Sequence, residues 1–364
     1  MNPNPIGDVN LQIMDSNVVY TATCLYGAVV VLGIISVSIF IAVLIKGSDT
    51  FREFPFFTIV WHLTITNAVN IMIQATCIFP SMFVELDESE FWNTWFSVGS
   101  MISTATDVAM MLLVLLIAIN RFSVFIFKPL SSAFTKDTVK YPLMVTWIAV
   151  AFFIYLRLFQ MKTVRKFSKA NFEFSEVFIT KESWVNFTLT MIGYIIPLII
   201  FCVYLLMYAV IKKKRASLST VIVEENPNHS NVDFNLLLQG FLLSISLLIC
   251  RMLNTVTPRI QTATWIVWVL SIVKAMSTVI NNMLNPVLFL TTNITVRKIF
   301  KSLLKCESTK PKFISESDMP SGKRIIKSVC HDLKINRTTF RCSGACAVEP
   351  IVQLSNMDMP RVAA

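Results

Sequence analysis

Charged residues are scarce in this chain. Asp, Glu, Lys and Arg make up 15% of its 364 residues, whereas soluble globular proteins carry about 25%. Hydrophobic residues make up 54%, the mean hydropathy is +0.64, and the apolar residues stand in long blocks. The composition excludes a disordered or fibrous protein and argues against a water-soluble enzyme.

The patterns that mark disulfide frameworks and metal sites are missing as well. The eight cysteines form no repeated CxxC, and most of them lie in apolar stretches. The apolar blocks contain no His/Glu or Cys/His pair at metal-ligand spacing, and the cysteines near Cys330-His331 do not have a standard zinc spacing. We therefore expect no metal, no cofactor and no enzymatic activity.

The two ends of the chain differ from its middle. Residues 1–19 lack lysine and arginine and contain Asp8 and Asp15, so they do not form a cleavable signal peptide. We expect a short extracellular segment there, followed by an uncleaved membrane anchor. Residues 307–364 are polar, without sustained periodicity, which predicts a mostly disordered cytoplasmic tail.

Seven apolar blocks are long enough to cross a bilayer, which takes about 20 residues. The predicted spans are, in order, Tyr20–Ile45, Pro55–Phe79, Phe96–Asn120, Pro142–Gln160, Trp184–Ile211, Leu236–Thr257 and Thr264–Leu290. They predict an all-α membrane protein with a seven-transmembrane-helix bundle over residues 20–290.

The distribution of basic residues predicts how the bundle is oriented. With the N-terminus outside, the cytoplasmic segments contain 23 of the 32 Lys and Arg residues, and the outer segments contain 6. Lysine and arginine are enriched on the cytoplasmic side of membrane proteins. We predict a multi-pass protein of the plasma membrane, with its N-terminus outside and its C-terminus in the cytoplasm.

Several residues within the spans stand at characteristic positions. Span 3 ends in Asn120-Arg121-Phe122, and Asn67 lies in span 2; the other positions are Trp147 in span 4, Pro197 in span 5 and Asn285-Pro286 in span 7. In this order and spacing they resemble the rhodopsin-like family of G-protein-coupled receptors over about residues 20–306. Ile119–Phe122, followed by Lys128-Pro129, is most similar to the nematode serpentine chemoreceptors.

The resemblance implies an external ligand, a heterotrimeric G protein as partner, and the plasma membrane (in a chemosensory cell, that of a cilium) as location. It also implies roles in activation or G-protein coupling for Asn67, Asn120, Arg121, Trp147, Pro197, Asn281, Asn285 and Pro286.

The chain departs from the family pattern in four ways. Asn120 replaces the acid before Arg121 and should restrain that arginine less, and Phe289 replaces a tyrosine. Asn67 replaces an aspartate, which argues against the family's sodium site. Residues 78–183 contain no cysteine for the family's outer disulfide.

Three asparagines precede Pro286 in span 7. Asn281 and Asn285 share a helix face because they are four residues apart, and Asn282 lies between them. Unpaired amides are costly in lipid, so all three are expected to face the bundle interior. We expect Asn67 to be their partner, either as simple helix–helix contact or as part of an activation relay.

Charged residues inside the spans are candidates for ligand binding, since charge within a bilayer is costly and marks function. In the family's bundle, helices 3, 6 and 7 line one cavity. Asp107, Arg251 and Lys274 belong to spans 3, 6 and 7, and we predict that they form the ligand pocket. The alternative is a purely structural ion pair between Asp107 and Lys274. Arg157, near an outer end, is expected to snorkel.

The inner face has further membrane-related features. Lys212–Arg215 forms a basic cluster, and residues 291–306 contain the amphipathic segment Thr295–Lys305, which suits a short eighth helix along anionic lipid. Cys306 follows it directly and is a palmitoylation candidate.

These observations predict a receptor for a small external ligand, most similar to chemosensory receptors. One alternative is a neuropeptide receptor of the same fold, because the four acids of the first outer loop could meet a basic peptide. The other is a seven-helix ion channel or transporter. Insect-type odorant channels have seven spans with the N-terminus inside. The distribution of basic residues in this chain predicts an N-terminus outside and therefore argues against such a channel. No nucleic-acid partner is expected.

Overall fold

The computed structural model describes residues 16–80, 90–156, 163–168, 173–178, 184–218, 227–256 and 264–305. All of them belong to the first of two units, residues 1–309. Cys306, Arg157, most of the predicted N-terminal segment and the whole predicted tail lie outside the described residues, so the expectations for them stay predictions.

The described residues form eight main helices. They are α1 (Ser16–Lys46), α2 (Pro55–Ile73), α3 (Glu90–Phe125), α4 (Lys140–Tyr155), α5 (Trp184–Leu218), α6 (Pro227–Val256), α7 (Thr264–Thr292) and α8 (Ile294–Leu304). A single helical turn, Ser48–Phe51, follows α1, and a 3-10 helix, Lys128–Phe134, follows α3. Helices α1 to α7 coincide with the predicted spans, and α8 with the predicted amphipathic segment.

Five helical segments of the described chain are long and apolar enough to cross a membrane. They are Tyr20–Lys46, Pro55–Ile78, Thr94–Phe125, Thr190–Lys213 and Leu237–Asn254. These segments lie on α1, α2, α3, α5 and α6, which confirms the apolar helices predicted there. Helix α4 is a shorter apolar helix of 16 residues. That α4 and α7 also cross the membrane stays a prediction.

Several helices extend beyond their apolar blocks. Helix α3 begins at Glu90, six residues before the predicted start, and α6 begins at Pro227, nine residues before. Backbone hydrogen bonding continues a helix into polar sequence, where hydropathy no longer reports it. The end of α2 changes instead into a π-helical stretch, Gln74–Ile78, which widens the turn at that point.

The described residues between α4 and α5 form a β-hairpin, which the sequence did not predict. Strands β1 (Thr163–Ser168) and β2 (Glu173–Phe178) pair antiparallel, with Thr163 opposite Phe178. Strand β1 lies beside α3. The all-α prediction is therefore corrected by one hairpin. The antiparallel pairing lets the two segments satisfy each other's backbone N–H and C=O groups.

The bundle is apolar outside and partly polar inside. Large apolar side chains point outward along α1 and α4, for example Leu32 and Phe152. The buried core contains apolar residues from all eight main helices, among them Phe40, Leu63, Leu113, Met207 and Leu247. Buried polar residues include asparagines of α2 and α7. This arrangement places apolar surface against lipid and polar groups where other helices can satisfy them.

Helix α8 packs against α1 and α7. The side chain of Asn293 caps it by accepting a hydrogen bond from the Val296 backbone N–H at 3.1 Å. Val296 is buried, and the Lys46 ammonium of α1 donates to the Ser302 carbonyl at 2.9 Å. The four basic side chains of the segment are exposed. Leu304, predicted on the apolar face, is 68% exposed.

Candidate functional site

A buried hydrogen-bond network at the centre of the bundle joins four helices through Asn70. The Asn70 amide nitrogen donates to the Thr106 hydroxyl at 2.8 Å and to the Asp107 carboxylate at 3.1 Å. Its oxygen accepts from the amides of Asn282 at 2.9 Å and Gln74 at 3.4 Å. Asn70 is 1% exposed, so these bonds replace the hydrogen bonds that water would make to an exposed amide.

The network continues to α1. The Tyr26 hydroxyl donates to the Gln74 side-chain oxygen at 2.7 Å, and Tyr26 is 1% exposed. Gln74 is also the first residue of the π-helical stretch at the end of α2. One chain of side-chain hydrogen bonds therefore links α1, α2, α3 and α7, and it includes the predicted pocket residue Asp107.

The asparagines of α7 face the bundle interior, but their partner is not the predicted one. Asn281 accepts from the Ser246 hydroxyl of α6 at 2.9 Å, and Asn282 bonds to Asn70. Neither amide atom of Asn67 has a hydrogen-bond partner, and the same holds for Asn285. The prediction that Asn67 binds the α7 asparagines is wrong, because Asn70, three residues further along α2, occupies that role.

The turns that carry Arg251 and Lys274 meet at the buried thiol of Cys250. The hydroxyls of Ser277 and Thr278 both lie 3.8 Å from the Cys250 sulfur. Both hydroxyls also donate to the Lys274 backbone carbonyl, at 2.7 and 3.3 Å. The contacts of Cys250 thus link α6 to α7, at the turn of α7 that follows Lys274.

Asp107, the third predicted pocket residue, lies on α3. Asp107, Arg251 and Lys274 are each partly exposed. That these three residues form one ligand pocket stays a prediction. The hydrogen bond that fixes Asp107 comes from Asn70, and a pair between Asp107 and Lys274 stays a prediction.

Near the C-terminal end of α3, Arg121 lies over an aromatic ring. Its guanidinium carbon is 3.8 Å from the centroid of the Phe56 ring, a cation–π contact. Phe56 belongs to the first turn of α2. Asn120 beside Arg121 is 5% exposed, and its carbonyl accepts from the Ser123 hydroxyl at 2.7 Å. Before this arginine, rhodopsin-like receptors have an acidic residue, whereas this chain has the neutral Asn120. In this chain the Phe56 ring contacts the guanidinium of Arg121.

Phe56 is one edge of an aromatic cluster that reaches α7. Its ring centroid lies 5.8 Å from that of Phe289 and 5.4 Å from that of Phe57. Phe289 stacks on Phe40 of α1 at 5.4 Å and is 1% exposed. Phe289, which stands where rhodopsin-like receptors have a tyrosine, is therefore an apolar core residue. It contacts Phe56, the ring over which Arg121 lies.

Tyr204 of α5 packs against α6 and is 2% exposed. Its ring fills the space beside Gly240 of α6, where an added methyl group would overlap the ring. Helices α5 and α6 approach closely here because residue 240 has no side chain.

The remaining predicted residues are dispersed. Trp147 is 39% exposed on α4, with its ring 6.1 Å from the His62 imidazole of α2. Pro197 and Pro286 lie inside α5 and α7, where each leaves a carbonyl of the preceding turn without its helical donor. Their roles in activation stay predictions. Among the described residues no group of His, Cys, Asp and Glu could hold a metal ion.

The arrangement of the helices is that of a known structure. No protein-family model and no curated protein matches the sequence. The crystal structure of squid rhodopsin is similar to the model with a TM-score of 0.63, over 88% of this chain and 99% of that chain. The chain has the rhodopsin fold. The two sequences are 14% identical, so the likeness shows the fold alone.

Within the rhodopsin fold, sequence reasoning missed Asn70 of the polar network and Phe56 beside Arg121. Asn70 is one of three amide residues in its apolar block, and the family pattern directed attention to Asn67 instead. A helical-periodicity argument could have found Asn70, since it lies seven residues from Leu63 and Gln74 lies four residues further, all on one face. Phe56 carried no signal, because it stands in a run rich in phenylalanine.

Proposed function

We propose that this chain is a G-protein-coupled receptor with seven membrane spans, its N-terminus outside and its C-terminus in the cytoplasm. It detects a small external ligand, in the manner of chemosensory receptors, and signals through a heterotrimeric G protein. One observation supports this most: Arg121 lies near the C-terminal end of α3 in a chain with the rhodopsin fold, and its guanidinium lies over the Phe56 ring of α2.

The proposed mechanism is a population shift between two arrangements of the helices. In the arrangement described here, Arg121 lies on Phe56 and Tyr204 occupies the space beside Gly240. Ligand binding among Asp107, Arg251 and Lys274 favours an arrangement in which α6 moves away from α5. Arg121 then leaves the Phe56 ring and becomes available to the G protein.

The experiment measures ligand-free G-protein activation in cells, with representatives of the main G-protein classes. Wild type is compared with Arg121→Ala at equal surface expression, and Arg297→Ala, an exposed basic residue of α8, serves as the matched control. We expect Arg121→Ala to abolish the basal signal and Arg297→Ala to retain most of it. A basal signal unchanged by Arg121→Ala would contradict the role of this residue.

A second experiment separates the receptor from a channel or transporter with an inverted topology. An epitope tag is placed at the N-terminus and stained on intact and on permeabilised cells. Staining of intact cells supports the receptor orientation, and staining after permeabilisation alone contradicts it.

A third experiment distinguishes a small ligand from a peptide. Asp107→Asn and Lys274→Gln should reduce the potency of a ligand bound in the bundle and leave the potency of a surface-bound peptide almost unaffected.

A further inference from the structure

The first turns of α3 contain an aromatic group that the proposed receptor mechanism does not use. Phe91, Trp92, Trp95 and Phe96 stand within six residues, and no charged residue follows them before Asp107. Phe96 is 7% exposed, whereas Phe91 is 68% and Trp95 40% exposed. The group therefore has one side packed against the protein and one side open.

The packed side is fixed by direct contacts. The indole N–H of Trp95 donates to the carbonyl of Thr76, in the π-helical stretch of α2, at 3.3 Å. The Trp92 ring stacks on the Phe96 ring with centroids 5.9 Å apart, and Phe91 meets Trp92 in a T-shaped contact at 5.4 Å. The open faces of Phe91 and Trp95 are thus held in place on the outside of the α2–α3 pair.

The open side continues an exposed apolar stripe of α3. Val98 is 44% and Met101 is 42% exposed, and their spacing from Trp95 and Phe91 places all four on one face of the helix. Trp95, Val98 and Met101 lie in Thr94–Phe125, a segment apolar enough to cross a membrane, and Phe91 precedes it. From Met101 to Phe91 the helix rises by about 15 Å, about half the thickness of a bilayer's hydrocarbon core. The stripe therefore extends from the hydrocarbon to the depth of the lipid headgroups.

We propose that the open faces of Phe91 and Trp95 form a docking surface for the headgroup region of the outer bilayer leaflet. Tryptophan is enriched at this depth because its ring is apolar and carries a polar N–H group. The surface is continuous with the stripe that faces the acyl chains, and residues 91–106 contain no charge that would keep it in water. The choice of the outer leaflet rests on the orientation given in the proposed function.

The test measures tryptophan fluorescence of the purified full-length chain in phosphatidylcholine nanodiscs that hold one chain each. The lipids have bromine, a quencher, either at the headgroup end of the acyl chains or at the bilayer centre, and acrylamide is the water-soluble quencher. The signal of Trp95 is the difference between wild type and Trp95→Phe. Trp147→Phe provides the matched control, because Trp147 is 39% exposed and lies inside the predicted span 4.

We expect bromine at the headgroup end to quench the Trp95 signal most, and bromine at the bilayer centre to quench a larger share of the Trp147 signal than of the Trp95 signal. Stronger quenching of Trp95 by acrylamide than by either lipid would overturn the proposal, since a face open to water suits a peptide or another soluble partner. Strongest quenching from the bilayer centre, or no quenching by any of the three, would overturn it as well.

Phe91→Trp guards against a disturbed fold in Trp95→Phe, because it retains the bond from Trp95 to Thr76. The fluorescence that it adds should show the same order of quenching as the Trp95 signal, and the opposite order would count against the surface. No G protein or ligand is present, so a failure of the proposed coupling leaves this result unaffected. An inverted orientation would move the surface to the other leaflet without changing the order of quenching.

Discussion

The guanidinium of Arg121 lies 3.8 Å from the centroid of the Phe56 ring. This contact joins the C-terminal end of α3 to the first turn of α2, and Phe56 in turn contacts Phe289 of α7. The neutral Asn120 cannot hold the arginine by charge, so the aromatic ring provides a restraint in its place. Cation–π contacts contribute roughly 0.5–2 kcal/mol, depending on how far they are removed from water.

The Phe56 contact predicts a graded effect on basal signalling. Phe56→Leu should raise ligand-free G-protein activation about twofold to fivefold, because losing roughly 0.5–1 kcal/mol shifts the population by that factor. Phe56→Trp should retain or lower the basal signal, since it keeps an aromatic face. Phe54→Leu is the control, because Phe54 contacts Phe57 edge-on. Equal increases in Phe56→Leu and Phe54→Leu would count against the restraint.

The Asn70 network predicts unequal effects of two substitutions on the same helix. Asn70→Leu should lower the free energy of unfolding by about 2–4 kcal/mol, because it leaves Asp107, Gln74 and Asn282 without the bonds they make to Asn70. Asn67→Leu should be nearly neutral or stabilising, since neither atom of the Asn67 amide has a partner.

Thermal unfolding of the two purified variants checks this prediction. Both replace a buried asparagine of α2 by leucine, so each controls for the change of side chain in the other. A loss for Asn67→Leu as large as that for Asn70→Leu would show that the network centred on Asn70 is not the main polar contact among these helices.

The sequence predicted the helices better than the contacts between them. Hydropathy located seven apolar blocks, and Trp184 and Thr264 begin helices at the predicted residues. It could not show that α6 begins at Pro227, because the first turns of this helix are polar. Hydropathy reports contact with lipid, whereas helix ends follow backbone hydrogen bonding.

The partners within the site depended on rotation and register, which the sequence does not fix. Asn67 and Asn70 lie less than one turn apart on α2, so a small rotation decides which of them meets α7. The family pattern favoured Asn67, and the packing selects Asn70. The Phe56 platform was equally inaccessible, because a cation–π contact across two helices leaves no spacing in the sequence.

The contact between Tyr204 and Gly240 predicts a variant that pushes α5 and α6 apart. A methyl group at residue 240 would overlap the Tyr204 ring, so Gly240→Ala should raise basal activation and lower the melting temperature. Gly193→Ala of α5 is the matched control, because nothing lies within 4 Å of its added methyl group.

A second substitution tests whether Tyr204 is the cause. In the double variant Gly240→Ala/Tyr204→Ala the ring that meets the methyl group is gone, so the basal signal should fall back toward that of Tyr204→Ala alone. Basal signals that simply add in the double variant would indicate that the two residues act independently.

The hydrogen bond from Tyr26 to Gln74 predicts a modest, specific loss of stability. Tyr26→Phe removes this hydroxyl and leaves the buried Gln74 oxygen without that donor, so unfolding should require about 1–2 kcal/mol less. Tyr20→Phe, on the same helix and 65% exposed, should change the stability by less than about 0.5 kcal/mol. Equal effects of the two substitutions would show that the network does not extend to α1.

The central claim is that this rhodopsin fold activates a G protein through Arg121. The most direct measurement is GDP release from purified heterotrimers, one from each main class, with the purified chain in lipid nanodiscs. The Phe56→Leu variant serves as the sensitised form. We predict that wild type and, more strongly, Phe56→Leu accelerate GDP release from at least one heterotrimer, and that Arg121→Ala abolishes this in both backgrounds. No acceleration by Phe56→Leu with any heterotrimer, or acceleration that survives Arg121→Ala, would contradict the account.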